Sequence, residues 1–218
     1  MKKTHQTPTA TLLILPLSLS CLALTSCKEN SLQQTTVLPM PQPRDLLIDD
    51  FARQNDTPPA ARQWQFISDQ VMGGRSTGAI DIVQWDNRPC LRMTGSLSLE
   101  NRGGFIQART KLNPKAKYFD ARPFTGVQVV VKGNNEAYAI HLRTKHTWLP
   151  WQYYQATFGT DGTWQTIKLP FDTFQPFSLA NTLDTATLKT IAIVAIKKEF
   201  DADILVDQLS FYTAPDNP

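Results

Sequence analysis

The chain reads as an all-β protein, a two-sheet jelly-roll sandwich with few or no helices. From about Asp45 onward, apolar residues recur in short runs rich in valine, isoleucine and aromatics that mostly alternate with polar residues, the period of a strand with one buried face. Turn chemistry divides these runs at Gly133-Asn134-Asn135, at Gly159-Thr160-Asp161-Gly162 and at Pro170. Two motifs with adjacent glycines, Asp69-Gln70-Val71-Met72-Gly73-Gly74-Arg75-Ser76 and Glu100-Asn101-Arg102-Gly103-Gly104-Phe105, mark tight backbone at the head of the same region.

Residues 1–26 read as a lipoprotein signal peptide. Lys2 and Lys3 form a basic start, and Thr11 to Leu24 is an apolar run shorter than the about 20 residues of a comfortable membrane-spanning helix. It ends in Leu24-Thr25-Ser26-Cys27, which resembles the bacterial lipobox; the resemblance implies cleavage before Cys27 and a diacylglycerol on its thiol. Cys21 fits less well, since Ser18 stands where the pattern wants an aliphatic residue, and an ordinary secretory signal with an incidental cysteine is the alternative. Lys28 after the cysteine implies sorting to the outer membrane of a bacterial cell envelope, with the protein lipid-anchored and facing the periplasm. Several acyl chains on one cysteine give stable anchoring. Residues 27–44 are rich in proline, glutamine and threonine and read as a semi-stiff tether. Residues 45–213 then form one domain, with a short tail at 214–218.

Charge argues against nucleic acid as a partner. The net charge of +3 loses Lys2 and Lys3 with the signal, leaving +1, and the basic residues are scattered, with Lys197-Lys198 followed at once by Glu199. A phosphate-tracking surface needs a stripe of lysine and arginine. Of the three cysteines only Cys90 remains free in the mature form, so no intrachain disulfide forms. Cys90 lies in the strand-like run Arg88 to Thr94 and reads as a small packed residue.

The expected strands are Arg88–Thr94, the run after Gly104-Phe105, Gln128–Lys132, Ala137–Thr144, Trp151–Phe158, Trp164–Leu169 and Ile204–Tyr212. Thr190 to Ile196 fits a buried strand or a helix segment by periodicity alone, and its β-branched content favours strand. Asp184 to Leu188 reads as one helical turn feeding it, with Asp184 as N-cap.

These motifs occur in an order that resembles the complex I intermediate-associated protein 30 family over essentially all of Asp45 to Tyr212. The carrying residues are Trp64, then Asp69, Met72, Gly73, Gly74 and Ser76, then Gly95 to Phe105 with Glu100, Asn101, Gly103 and Gly104, then Val131-Lys132-Gly133, Tyr138 to Thr144, Trp164, Leu169-Pro170-Phe171 and Val206 to Leu209. The resemblance implies a galactose-binding-like jelly roll, an architecture shared with many carbohydrate-binding modules, and a scaffold's role: binding a partner protein during assembly. Gly133-Asn134-Asn135 departs from the family's frequent Gly-Asp-Gly loop and lacks its carboxylate. Carbohydrate-binding jelly rolls often hold a structural calcium between first and last strands, which makes Asp50 and Asp207 candidate ligands, although Ala52 stands where a glutamate is common. No other cofactor is expected.

No catalytic residue is assigned. His141 and His146 are the histidines of the mature chain, Asp69, Glu100 and Asp207 are the carboxylates nearest the motifs, and no nucleophile elbow, zinc-protease signature or P-loop is present. Asp69 and Glu100 read as acceptors for the backbone of the glycine turns. The candidate ligand face comes from the strand Tyr138–Thr144: Tyr138, Ile140 and Leu142 fall on one side, His141 and Arg143 on the other. Trp148, Trp151 and Tyr153 follow at once, and Arg109 joins from the strand after Phe105. Rings and planar polar groups together suit a sugar, and exposed tryptophan, tyrosine and arginine also suit a protein interface. The expected role is a non-catalytic, tethered binding or assembly protein of the envelope, with a carbohydrate-binding module as the alternative.

Overall fold

The computed structural model describes residues 45–52 and 63–214, all within the compact unit Pro41–Pro218. The signal peptide, Cys27, the tether and the last four residues lie outside the described residues. Among the described residues twelve strands form: β1 (Leu46–Asp49), β2 (Gln65–Ser68), β3 (Thr77–Trp85), β4 (Arg88–Ser96), β5 (Phe105–Lys111), β6 (Gly126–Lys132), β7 (Ala137–Thr144), β8 (Tyr153–Gly159), β9 (Gln165–Pro170), β10 (Gln175–Phe177), β11 (Leu188–Ile196) and β12 (Asp201–Tyr212). The helical segments among the described residues are 3-10 turns of three or four residues.

Two six-stranded antiparallel sheets pack face to face. One runs β3-β4-β12-β6-β9, with β1 paired to the end of β12, and the other runs β10-β8-β7-β11-β5-β2. Alternation sends Leu91, Met93, Val127, Val129, Val131, Ile204 and Val206 inward from the first sheet, against Ile106, Tyr138, Ile140, Leu142, Tyr154, Ile191 and Ile193 from the second. In β12 the inward positions change from even (Ile204, Val206) to odd (Leu209, Phe211). A register shift against β6 between Val206 and Gln208 absorbs the change, because one extra residue turns every later side chain to the opposite face.

The segment 190–196 is a strand, and its place explains the missing alternation. β11 lies between β7 and β5, and Ala192 and Val194 on its outer side are as buried as Ile191 and Ile193 on its core side. The turn before it forms as expected: Asp184 caps Thr185–Thr187 by accepting from Ala186 N–H at 3.1 Å. The strand expected from Trp151 starts at Tyr153, because Gln152 Oε1 accepts from the Trp148 and Leu149 N–H groups and holds 148–152 in a turn. Strands β1, β2, β3 and β10 lie outside the strands expected from the sequence; β10, three exposed residues including Pro176, carries no periodic signal.

The departure at the Gly133-Asn134-Asn135 loop has a structural reason. Asn134 donates from Nδ2 to the Asp201 carbonyl at 2.7 Å and accepts from the Tyr138 hydroxyl at 2.6 Å. A carboxylate accepts only, so aspartate there would lose the first bond. Cys90 is fully buried, and that burial, with Asp207 nearby, pushes its thiol up to about 11.

Candidate functional site

The two glycine motifs are joined through one buried carboxylate. Asp69, on the 3-10 turn Asp69–Met72, is fully inaccessible to solvent. Its Oδ1 accepts from Ser76 N–H at 2.9 Å, and its Oδ2 accepts from Ser76 Oγ–H at 2.5 Å and, across to the second motif, from Gly104 N–H at 2.5 Å and Phe105 N–H at 3.4 Å. Burial alone raises its pKa, but the bonds from Ser76, Gly104 and Phe105 outweigh it and hold the carboxyl below its usual value. The glycines follow from this packing. A Cβ on Gly74 or Gly103 would collide with the Asp69 side chain, and Gly104 has φ +110°.

Glu100 does not join the backbone of the turn, as expected of it; it pairs with Arg75 at 3.1 Å, both largely exposed. The loops gain a further link where Asn101 Nδ2 donates to the Gly73 carbonyl at 3.2 Å. Gly73 has φ +88° but open space around its missing Cβ, so its requirement is conformational and not a matter of room.

Beside this clamp a groove of about 350 Å³ crosses the outer face of the second sheet, a size in the range of small-ligand sites. Ala192, Phe105 and Ile196 give it an apolar lining, backed by the buried Ala139 and Val194 beneath. Arg109 on β5 and His141 on β7 flank Ala192 of β11 in register, and Arg143 lies opposite Thr190 one step along. Val71 and Met72 of the first motif and Gly103 and Gly104 of the second form part of the wall. Motif residues read as purely structural therefore also shape the cavity.

Of the six residues of the candidate ligand face, Arg109, His141, Arg143, Trp151 and Tyr153 line this groove. Trp148 does not; it is 82% exposed, outside the lining, with the Lys189 ammonium 5.8 Å from its ring centre. Tyr153 contributes differently from expectation, because both of its ring faces are taken. His141 stacks on it at 3.8 Å between ring centres and Phe177 of β10 at 4.8 Å. Trp151, 47% exposed, is left as a ring surface for a ligand, and Phe177, 41% exposed, adds aromatic surface that it shares with Tyr153 and the Lys197 ammonium.

Sequence reasoning missed Ile67, Gln107, Phe177 and Lys197 in the lining. Gln107 was open to detection, since it shares a strand face with Arg109 two residues on. Phe177 and Lys197 come from a three-residue strand and from the link between β11 and β12, and only the fold brings them near.

His141 is buried and, with Lys197 nearby adding to the effect, its pKa falls to about 3, against the opposing bond between its Nε2 and Gln155 Oε1 at 3.1 Å. It is neutral at physiological pH. Burial raises the Tyr153 hydroxyl to about 12. Among the described residues no carboxylate lines the groove. His146 is elsewhere, beside Asp184 at 3.6 Å.

The expected calcium ligands Asp50 and Asp207 each have another partner. Asp207 pairs with Arg88 at 3.1 Å, Asp50 accepts from Ala52 N–H, and Asp49 accepts from Phe51 N–H and Trp64 Nε1–H. Among the described residues no three His, Cys, Asp or Glu side chains gather as a metal site.

Residues 50–202 match the model of the complex I intermediate-associated protein 30 family. The chain belongs to that family. Among solved structures, this complex I intermediate-associated protein 30 domain is similar to a family 11 carbohydrate-binding module from Clostridium thermocellum, determined with a β-1,3-1,4-mixed-linked tetrasaccharide. The two share 14% identity, with TM-score 0.60 over 79% of this chain and 98% of that one. A family 11 module of a cellulosomal cellulase of Clostridium thermocellum gives 15% identity and TM-score 0.59 over 79% of this chain and 96% of that one. At these identities the likeness establishes the jelly-roll fold. No curated protein sequence is significantly similar to this family member.

Proposed function

We propose that this domain is a binding module, not a catalyst, and that it takes an extended glycan in the groove on its second sheet. The observation that carries the reading is the pairing of exposed aromatic surface, on Trp151 and Phe177, with planar hydrogen-bonding groups, Arg109 and Gln107, in one groove. Sugar rings stack their C–H faces on aromatics while such groups take the hydroxyls. The tetrasaccharide named with the family 11 module supports the class of ligand. A tuned acid and base pair is what hydrolysis needs, and a neutral buried histidine without a carboxylate beside it supports binding instead.

A protein partner of the assembly type is the second reading, favoured by the exposed apolar residues Val71 and Met72 at the groove wall. We further propose that Cys27 carries the lipid and tethers the domain at the outer membrane, on the strength of Leu24-Thr25-Ser26-Cys27 and Lys28. A glycan array with the purified protein tests the main reading. Trp151→Ala and Phe177→Ala should abolish the signal, and Trp148→Ala should leave it. A blank array, with an envelope protein captured by wild type and lost in Val71→Ser, decides for the second reading. Fatty-acid labelling that survives Cys27→Ala overturns the anchor.

A further inference from the structure

We propose that the ligand of the groove is an acidic polysaccharide, one whose sugars carry carboxylate or sulfate groups. The proposal rests on the glycan reading above and adds the ligand's charge. Arg109, Arg143 and Lys197 line the cavity, with no aspartate or glutamate among the lining residues and His141 neutral. Six cations elsewhere on the described surface are ion-paired, and others, such as Lys132 and Lys168, lie over aromatic rings. Arg75, Arg88, Arg92, Arg122, Lys145 and Lys198 each have a carboxylate within 3.1 Å.

The Arg109 guanidinium has no hydrogen bond or ion pair among the described residues, although it stands half-buried on the floor beside Ala192. That burial lowers its pKa, and Arg143 is lowered by burial and by Arg109 itself, which marks two like charges in one cavity. An unpaired charge so placed is unfavourable until an anion meets it. Arg143 is already held in position, donating from its terminal nitrogen to the carbonyls of Leu149 at 2.8 Å and Thr147 at 3.3 Å. Lys197 is set over the outer ring of the stack, its ammonium 5.4 Å from the Phe177 ring centre. A guanidinium fork matches the two oxygens of a carboxylate or sulfate, while Trp151 offers a ring to the sugar that bears it. Charge and stacking surface in one groove select a charged sugar over a neutral one.

Titration calorimetry on the full chain tests this with five probes in about 50 mM salt, where screening is moderate: polygalacturonate, alginate, carrageenan, neutral mixed-linked β-glucan and poly-glutamate. We expect the polyuronates or the sulfated polymer to bind at least about tenfold more tightly than the neutral glucan, and to weaken as salt rises. The polyuronate and sulfate arms identify the oxyanion. Arg109→Gln and Lys197→Gln should each cost about tenfold in that affinity. The melting temperature of Arg109→Gln should stay at or above that of wild type, since no partner is lost. Equal, salt-independent binding of the neutral glucan overturns the acidic ligand and leaves the glycan reading intact. Poly-glutamate binding as tightly as the polyuronates overturns the role of the sugar. Binding of none of the polysaccharides overturns both readings.

Discussion

Replacing Asp69 by alanine removes the buried bond between the two glycine motifs and leaves the exposed links Asn101–Gly73 and Arg75–Glu100. Ser76 N–H and Gly104 N–H lose their carboxylate acceptor; Ser76 Oγ keeps the Ser98 carbonyl at 3.4 Å, and the contact to Phe105 N–H is long to begin with. Two buried donors left without partners cost about 1–3 kcal/mol each, so about 4 kcal/mol in all is expected. For a domain of this size that corresponds to a drop in melting temperature of about 8–16 °C. Asp69→Asn should be nearly as damaging, because its amide NH2 would face a donor at one of the two oxygens.

The effect also has a pH signature. The folded pKa of Asp69 lies below the ordinary 3.8, so its contribution is complete above that value and is lost as pH falls through the folded value. The gap between wild type and Asp69→Asn should therefore be constant from pH 8 to 5 and close below 3.8. Thermal melts followed by circular dichroism across pH provide the assay. A variant melting within about 2 °C of wild type at pH 7 would refute the clamp, since each orphaned donor alone exceeds that shift.

Gly104→Val should cost about 2–3 kcal/mol and Gly73→Val about 1–2 kcal/mol in urea unfolding, since both demand positive φ but only Gly104 would set a Cβ 2.6 Å from Leu99 Cδ2; the reverse order would contradict the packing. His141, held near pKa 3 in the fold against 6.5 ordinarily, leaves the unfolded chain binding the extra proton, so stability should fall as pH drops from 6.5 towards 3 by at most about 1.4 kcal/mol per pH unit. His141→Gln should flatten that slope between pH 6 and 4, and an unchanged slope would place the titration elsewhere. Cys90 should resist iodoacetamide at pH 8 in the native protein and react fully in denaturant, read by mass spectrometry; equal rates in both states would contradict its burial.

Strand content was legible wherever one face of a strand meets the core and the other is turned outward, as in Tyr153–Gly159, where Tyr154, Ala156 and Phe158 are buried and Gln155 and Thr157 are not. The glycine motifs likewise marked tight backbone beside a carboxylate. What alternation cannot reveal is a strand buried on both faces, such as β11, or one too short to have a period, such as β10.

The sequence by itself determined the sandwich, the family and most of the polar side of the groove, because these depend on local periodicity and on motifs of fixed spacing. Only the tertiary structure decided what those residues do. Asp69 reaches Gly104 across 35 positions, His141, Tyr153 and Phe177 stack from three different strands, and Lys197 enters from a link between sheets. Sheet order sets these meetings, and so it also decided that Trp148 stands outside the groove and that Arg109 stands in it without a carboxylate. Pairing between distant strands is a property of the whole chain's packing, and no window of sequence contains it.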